Sequence, residues 1–296
     1  ARDGAIIAHP HPQKGDTMAN TTNLFGTSDP AYAYTWKLSR SRWAWEFLRR
    51  NPRFLEDASR HDPEEVSYRP ACRSITLVRP RCDQAEAERW GLAFFPDVRA
   101  NGFEADVFWS GALYPRTVSV HVGPRGEHEL CEIYEETTRL CNIVHLTDRV
   151  GREHLLLKGD GCVVQVRCEG LSLLCPEPVR MQIVLDGVSD LDAKMKILAK
   201  AREIYKHRQE ASAPVWTRHR RALCHALIAL DCHMAGLSHH ETACVIYGPD
   251  RAAHAWGEPG GAMKGEMKRA LKKGLHYKRG GYTELLGASK PLAHAA

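Results

Sequence analysis

The stretch at residues 262–275, AMKGEMKRALKKGL, admits few structures. At about 100° per residue, Met263, Met267, Ala270, Leu271 and Gly274 share one arc of a helix, and Lys264, Lys268, Arg269, Lys272 and Lys273 fill most of the rest. Such a helix must lay a narrow apolar stripe on a body built elsewhere in the chain while holding its bases in solvent. Glu266 is the only acid in the segment, against five bases. Solvated helix faces normally mix signs, which limits repulsion and adds i,i+4 pairs. A segment that keeps this self-repulsion suits a polyanionic partner, the alternative being a plain solvated face.

The overall charge of +5 hides an uneven distribution. From residue 214 onward, Lys and Arg number 12 against 6 acids, while the first 213 residues carry 29 against 30. The basic character therefore belongs to the C-terminal part. The 296 residues allow two or three domains. No apolar run approaches the roughly 18 to 20 residues of a membrane span, and the first residues lack the apolar core of a secretory signal. A cytoplasmic protein with no membrane partner is expected. The ten cysteines include no CxxC pair, and Cys224 and Cys232 fall inside a helical pattern, so neither structural zinc nor any cofactor is expected.

Residues 1–17 carry HPHP and no periodicity ahead of Met18, and are expected to form a disordered leader; His9 and His11 lack further ligands for a metal. A small helical N-terminal domain is expected over 18–65. In SRSRWAWEFLRRNPRF, Ser39 or Ser41 can cap a helix, Trp43, Ala44, Phe47 and Leu48 form its stripe, and Asn51-Pro52 ends it. Trp45 lies about 130° from the stripe centre, beside Arg42 and Arg49. It is either core or a second contact surface, against this chain or another protein.

Over 66–187 the texture changes to SITLV, LAFF, DVFW, TVSVHV, HLLLK, CVVQVR and MQIVL, separated by Pro, Gly and Asp: a strand-rich middle region. Its clearest hairpin spans 152–168, turning at KGDG. A linking helix is expected over 188–213, with Leu191, Met195, Leu198 and Ile204 at helical spacing. A C-terminal module follows over 214–287, then a tail at 288–296. Leu223, Leu227, Leu230 and Met234 make the inward stripe of its first helix, which Gly236 ends. Ser238 to Glu241 has capping-box spacing for the second helix, and Gly248-Pro249 stops it. The connection at 249–261 exceeds the turn of about three or four residues in an ordinary helix-turn-helix. The cationic helix and YKRGGYTELL complete the unit. The fold class is α+β, ending in an all-α module.

Three functions compete. The first is binding of double-stranded DNA, with the cationic helix in a major groove about 12 Å wide. Arg269 is the leading base reader there, and Lys264, Lys268, Lys272, Lys273, Lys278 and Arg279 are phosphate contacts. The second is an enzyme in the strand-rich region, where His145, Asp148, Glu153, His154 and Asp160 have suitable chemistry. No GxSxG, HExxH, GxxxxGK[ST] or strand-linked GxGxxG accompanies them, and the chain is not expected to be an enzyme. The third is an adaptor that docks proteins.

The string LDCHMAGLSHHETACVIYG at 230–248, with GGYTELL at 280–286, resembles a proteobacterial domain recognised as an extended-turn variant of helix-turn-helix. WAWEFLRRNPRF at 43–54 resembles the small N-terminal domain that accompanies it. Together they are similar to the FseA-like transcriptional activators of integrative and conjugative elements. The likeness covers roughly a third of the chain. It implies activation of excision and conjugative-transfer genes through promoter DNA and RNA polymerase. It further implies a basic side of the C-terminal domain on DNA, the opposite side on the N-terminal domain, and a small acidic antiactivator that binds the N-terminal domain. On these residues, Trp43, Trp45, Phe47 and Arg49 would form the interdomain or antiactivator surface, and 264–273 the DNA surface.

Overall fold

The computed structural model describes residues 29–72, 74–82, 84–126, 141–159, 162–185, 187–188, 190–206 and 215–287. The leader at 1–17 with His9 and His11, the tail at 288–296, and Asp160 with Gly161 of the expected turn lie outside them. The fold is α+β, with helices at both ends and a sheet between.

Among the described residues, seven strands form one mixed sheet: β1 (Val66–Cys72), β2 (Ile75–Pro80), β3 (Val118–Pro124), β4 (Asn142–Thr147), β5 (Glu153–Lys158), β6 (Val163–Gly170) and β7 (Val179–Val184), in the order β1-β2-β4-β5-β6-β3-β7. β2 with β4 and β3 with β6 are parallel. The expected hairpin is present as β5 and β6, paired from Glu153 opposite Cys168 to Lys158 opposite Val163. Alternation divides the side chains. Val120, Val122, Ile143, Leu155, Leu157, Val164 and Val166 face one way, and Val78, Val144, Leu146 and Leu156 face the other.

The helices are α1 (Arg40–Leu48), α2 (Pro52–Ser59), α3 (Ala85–Arg89), α4 (Leu191–Lys206), α5 (Arg218–Met234), α6 (His239–Tyr247), α7 (Pro249–Trp256), α8 (Ala262–His276) and α9 (Tyr282–Leu286). A 3-10 segment, Asp29–Lys37, precedes α1. The helix at 188–213 was expected to link two units. Its described part is α4, which covers the first sheet face through Ala201, Ile204 and Tyr205. The second face packs on Phe94 and Phe108.

Those two phenylalanines correct the strand reading of LAFF and DVFW. Neither run belongs to a strand of the sheet, and one isolated bridge joins Leu92 to Trp109. Aromatic residues here are buried by packing. Trp90, Leu92, Phe95, Val107 and Trp109 enter the same core as Trp43, Trp45, Phe47 and Phe54, so the segment around 85–113 packs with the N-terminal helices across the expected boundary at residue 65. Gln165 of β6 ties this segment to the sheet. Its amide accepts from the Trp109 N–H at 3.0 Å and donates to the Trp109 carbonyl at 2.8 Å. Two buried backbone groups that no strand pairs are thereby satisfied.

The same core runs on into the C-terminal helices through Leu223, Leu227, Leu230, Tyr277, Tyr282, Leu285 and Leu286. Trp109 meets Tyr282 with ring centroids 5.9 Å apart, and the Tyr282 hydroxyl donates to the Trp90 carbonyl at 2.9 Å. N-terminal helices, irregular middle and C-terminal module thus share one apolar interior.

Candidate nucleic-acid interface

Local chemistry builds the platform under α8. Thr217 caps α5, its hydroxyl accepting from the Arg220 N–H at 3.2 Å. After Met234 the chain turns at Gly236, whose φ of 81° favours glycine. The Ser238 hydroxyl then accepts from the Glu241 N–H, and the Glu241 carboxylate accepts from the Ser238 N–H at 2.7 Å, so the capping box forms in both directions. The connection expected over 249–261 is itself partly helical: α7 occupies most of it, with Pro249 in its first turn. Gly260 and Gly261, at φ 100° and 58°, then swing the chain into α8.

The seating of α8 follows its stripe. Met263 and Met267 pack with Ala243 of α6 and Ala252 of α7, and Ala270 and Gly274 are buried further along. Gly274 marks the closest approach to α5. A Cβ there would stand 2.4 Å from the Ala226 carbonyl oxygen and 3.0 Å from the Leu230 Cβ. No other residue type lets the two backbones meet so closely.

Opposite the stripe, Lys264, Lys268, Arg269, Lys272 and Arg279 are exposed, and Lys273 and Lys278 are half-buried. None of the seven makes an ion pair with a described acid. Two acids of this module are engaged elsewhere. Glu266 accepts the Tyr247 hydroxyl and lies 3.6 Å from His225, while Glu284 sits 2.9 Å from His276. Glu266 therefore braces α8 against α5 and α6 without cancelling the lysines. Two lysines rest on aromatic faces: the Lys264 ammonium lies 5.6 Å from the Trp256 ring centre and that of Lys273 lies 5.9 Å from Tyr277. Burial lowers the affinity of the Lys273 ammonium for its proton, and burial with neighbouring Arg279 does the same for Lys278. Lys278 is also directed inward, its ammonium 3.7 Å from the Met234 sulfur.

The positive field extends past the residues predicted from sequence. Partial burial lowers the His219 pKa, and Lys273 and Arg40 add to the effect. His219 thus marks where the start of α1, the start of α5 and the end of α8 converge as like charges. Arg251 of α7 lies over the Tyr247 ring at 4.9 Å. The run TRHRR at 217–221 could have signalled part of this from sequence. Nothing local could have signalled Arg40.

The expected interdomain or partner residues are all buried. Phe47 meets Tyr277 with centroids 4.9 Å apart, directly under the C-terminal module, and Trp43 stacks on Phe47. Trp45 is fully buried. Its indole N–H donates to the Ala100 carbonyl at 3.0 Å and its ring meets Phe54 edge-on. Arg49 pairs with Glu46 at 2.8 Å and donates to the Val98 carbonyl. The off-stripe surface of α1 therefore faces the irregular middle segment of this same chain, and neither Trp45 nor Arg49 is presented to an outside partner. Among the described residues, the catalytic residue types fall into two pairs, His145 with Glu153 and His154 with Asp148 at 3.9 Å, and Asp160 lies outside them. His145 and Glu153 lie 3.4 Å apart inside the sheet layer, and Asp148 pairs with Arg152 at 2.7 Å on the surface.

Polar groups not singled out as contacts in the sequence lock the N-terminal helices to the module. Arg50 donates to both Asp231 oxygens, at 2.6 and 2.7 Å, and to Glu46 at 2.6 Å. Tyr32 donates to Asp231 at 2.7 Å, and Asn51, which caps α2, also donates to the Lys278 carbonyl at 2.9 Å. Burial would raise the Glu46 pKa, but Arg49, Arg50, the Gly102 N–H and the Tyr34 hydroxyl outweigh it and hold the carboxyl at about 2.

Comparison with known families follows this geometry. Residues 185–287 match a RovC-type family model described as "T6SS, Transcription factor, DNA binding domain". Residues 26–95 match the model of a proteobacterial transcriptional regulator-like domain. No curated protein matches the chain. The first match spans the whole platform with α8, the second spans α1 to α3, and both support placing the chain among DNA-binding transcriptional regulators.

Proposed function

We propose that the chain is a transcriptional activator that binds duplex DNA through the exposed side of α8. One observation carries this reading: Lys264, Lys268, Arg269 and Lys272 stand exposed, free of any ion pair with a described acid, above a buried stripe of Met263, Met267, Ala270 and Gly274. A helix so seated enters a major groove about 12 Å wide. Arg269 reads a base edge, because a guanidinium can donate two parallel hydrogen bonds to guanine. Lys264, Lys268, Lys272 and Lys273 neutralise phosphates, with Arg279 beyond them, and Lys278 joins them only when its ammonium turns away from the Met234 sulfur. The activator engages RNA polymerase at its promoter, and its genes serve excision and conjugative transfer of a mobile element. A small antiactivator acts on the N-terminal helices. Since Phe47 is covered by Tyr277, that partner reaches α1 only by displacing the C-terminal module.

The RovC-type match favours a second assignment of target genes, to a T6SS. A genome-wide footprint of the full chain in its own cells separates the two. Bound sites cluster upstream of excision and transfer genes on the first assignment and upstream of T6SS genes on the second. A footprint with no discrete sites contradicts both.

A further inference from the structure

The basic side of α8 continues onto the helices beside it. At about 100° per residue, Lys273 lies roughly 20° and Arg269 roughly 60° from Glu266 around α8. Glu266 lies 3.6 Å from His225 of α5 and accepts the Tyr247 hydroxyl of α6, so this flank of α8 turns toward α5. On α5, Arg218 and Arg221 precede His225 at helical spacing and share its line, and both are exposed. Burial and the bond to Glu266 push the Tyr247 pKa up, and Arg251 and Arg221 oppose that rise, which sets Arg221 beside the same joint.

Helix α1 brings a further base to this side. Phe47 packs on Tyr277 with ring centroids 4.9 Å apart, and the Lys273 ammonium lies 5.9 Å from the centre of the same ring. Arg40 stands two turns before Phe47 on the same line of α1, about 10 Å along the axis, and is exposed. Burial and Glu284 raise the Tyr277 pKa against the pull of Arg40, and partial burial lowers that of His219, with Lys273 and Arg40 adding to it. Arg40 is therefore within electrostatic reach of the end of α8 and the start of α5. Arg40, Arg218 and Arg221 make no ion pair with a described acid. Bases gathered from three helices repel one another, and a polyanion relieves that repulsion.

We propose that Arg40 of α1 and Arg218 and Arg221 of α5 hold phosphates of the same duplex that α8 enters, which makes the N-terminal helices part of the DNA interface. This rests on the reading of α8 as the helix that enters the groove. An arginine fork takes a phosphate through two hydrogen bonds, and such contacts fix the register of a helix in its groove without reading sequence. The joints of Phe47 with Tyr277 and of Arg50 with Asp231 then have a second role, since they keep Arg40 beside α8.

Titration of the full chain on duplex DNA at several salt concentrations tests this. Arg40→Ala and Arg221→Ala are each expected to make the plot of log affinity against log salt shallower by about one unit, equally on unrelated sequences and with unchanged circular dichroism. Added to Lys268→Ala and Lys272→Ala, Arg40→Ala should contribute its unit on top of theirs. Arg202→Ala, which removes an exposed charge from α4, is expected to leave the slope as it is. If Lys268→Ala with Lys272→Ala flattens the slope while Arg40→Ala and Arg221→Ala do not, this proposal is overturned and the role of α8 stands. Equal flattening by Arg202→Ala and Arg40→Ala overturns it too, because net charge and not contact would then set the salt dependence. If no variant flattens the slope, the DNA reading of α8 fails and takes this proposal with it.

Discussion

Replacing Lys268 and Lys272 together by alanine is expected to weaken binding to every duplex by a similar factor. Plotted as log affinity against log salt, the dependence should become shallower by about two units. Each lysine that neutralises a phosphate releases about one condensed counterion, and that release is sequence-independent. Both side chains are exposed and engaged with no described acid, so their loss leaves the buried stripe of Met263, Met267 and Ala270 intact. Alanine also favours the helix at least as well as lysine does, which excludes unfolding of α8 as the cause. Titrations at several salt concentrations, on two duplexes of unrelated sequence, supply the check. An unchanged slope would remove these lysines from the DNA contact.

The second large effect concerns the joint between the two ends of the chain. Asp231→Ala is expected to destabilise the protein by about 3–5 kcal/mol, because it leaves the buried Arg50 guanidinium short of a counter-charge. It also strands the Tyr32 hydroxyl, which donates to the same carboxylate. Urea unfolding at neutral pH measures the loss. Asp231→Asn keeps the shape and one acceptor oxygen, and should cost less. A change below about 1 kcal/mol for Asp231→Ala would mean that Arg50 reaches water in solution. The same network sets an acid limit. The Glu46 carboxyl is held at about 2 in the folded chain, below the 4.5 of a free glutamate. Its contribution to stability is therefore complete above about pH 4.5 and is lost as pH falls through that value toward 2. Glu46→Gln should flatten this part of the stability profile.

What could be read from sequence, and what could not, follows from the range of the interactions. The stripe of α8 and the capping box at Ser238 are local patterns, written within four residues of chain, and the structure carries both. Helix α7 hides in a segment expected only as a long connection, because the stripe of PDRAAHAW is short: Ala252 is buried, and Ala255 and Trp256 pack beside it partly buried. LAFF and DVFW have strand composition, yet they pack as irregular chain between sheet and helices, an outcome decided by tertiary partners. Trp45 is off the stripe of α1 because α1 is covered on two sides, by the C-terminal module and by the segment near Ala100. Periodicity detects the second covering but cannot identify it. Arg50 and Asp231 are 181 positions apart, and no spacing rule relates them. The contribution of Arg40 to the basic surface was hidden for the same reason.

The account rests on contact between α8 and duplex DNA, and site-specific photo-crosslinking measures that contact directly. With a photoreactive residue placed in the full chain at position 268, 272 or 203, irradiation on duplex DNA is expected to give adducts from the two α8 positions and none from position 203 on α4. Adducts from position 203 alone, or none from α8 under conditions where the protein binds the duplex, would contradict it.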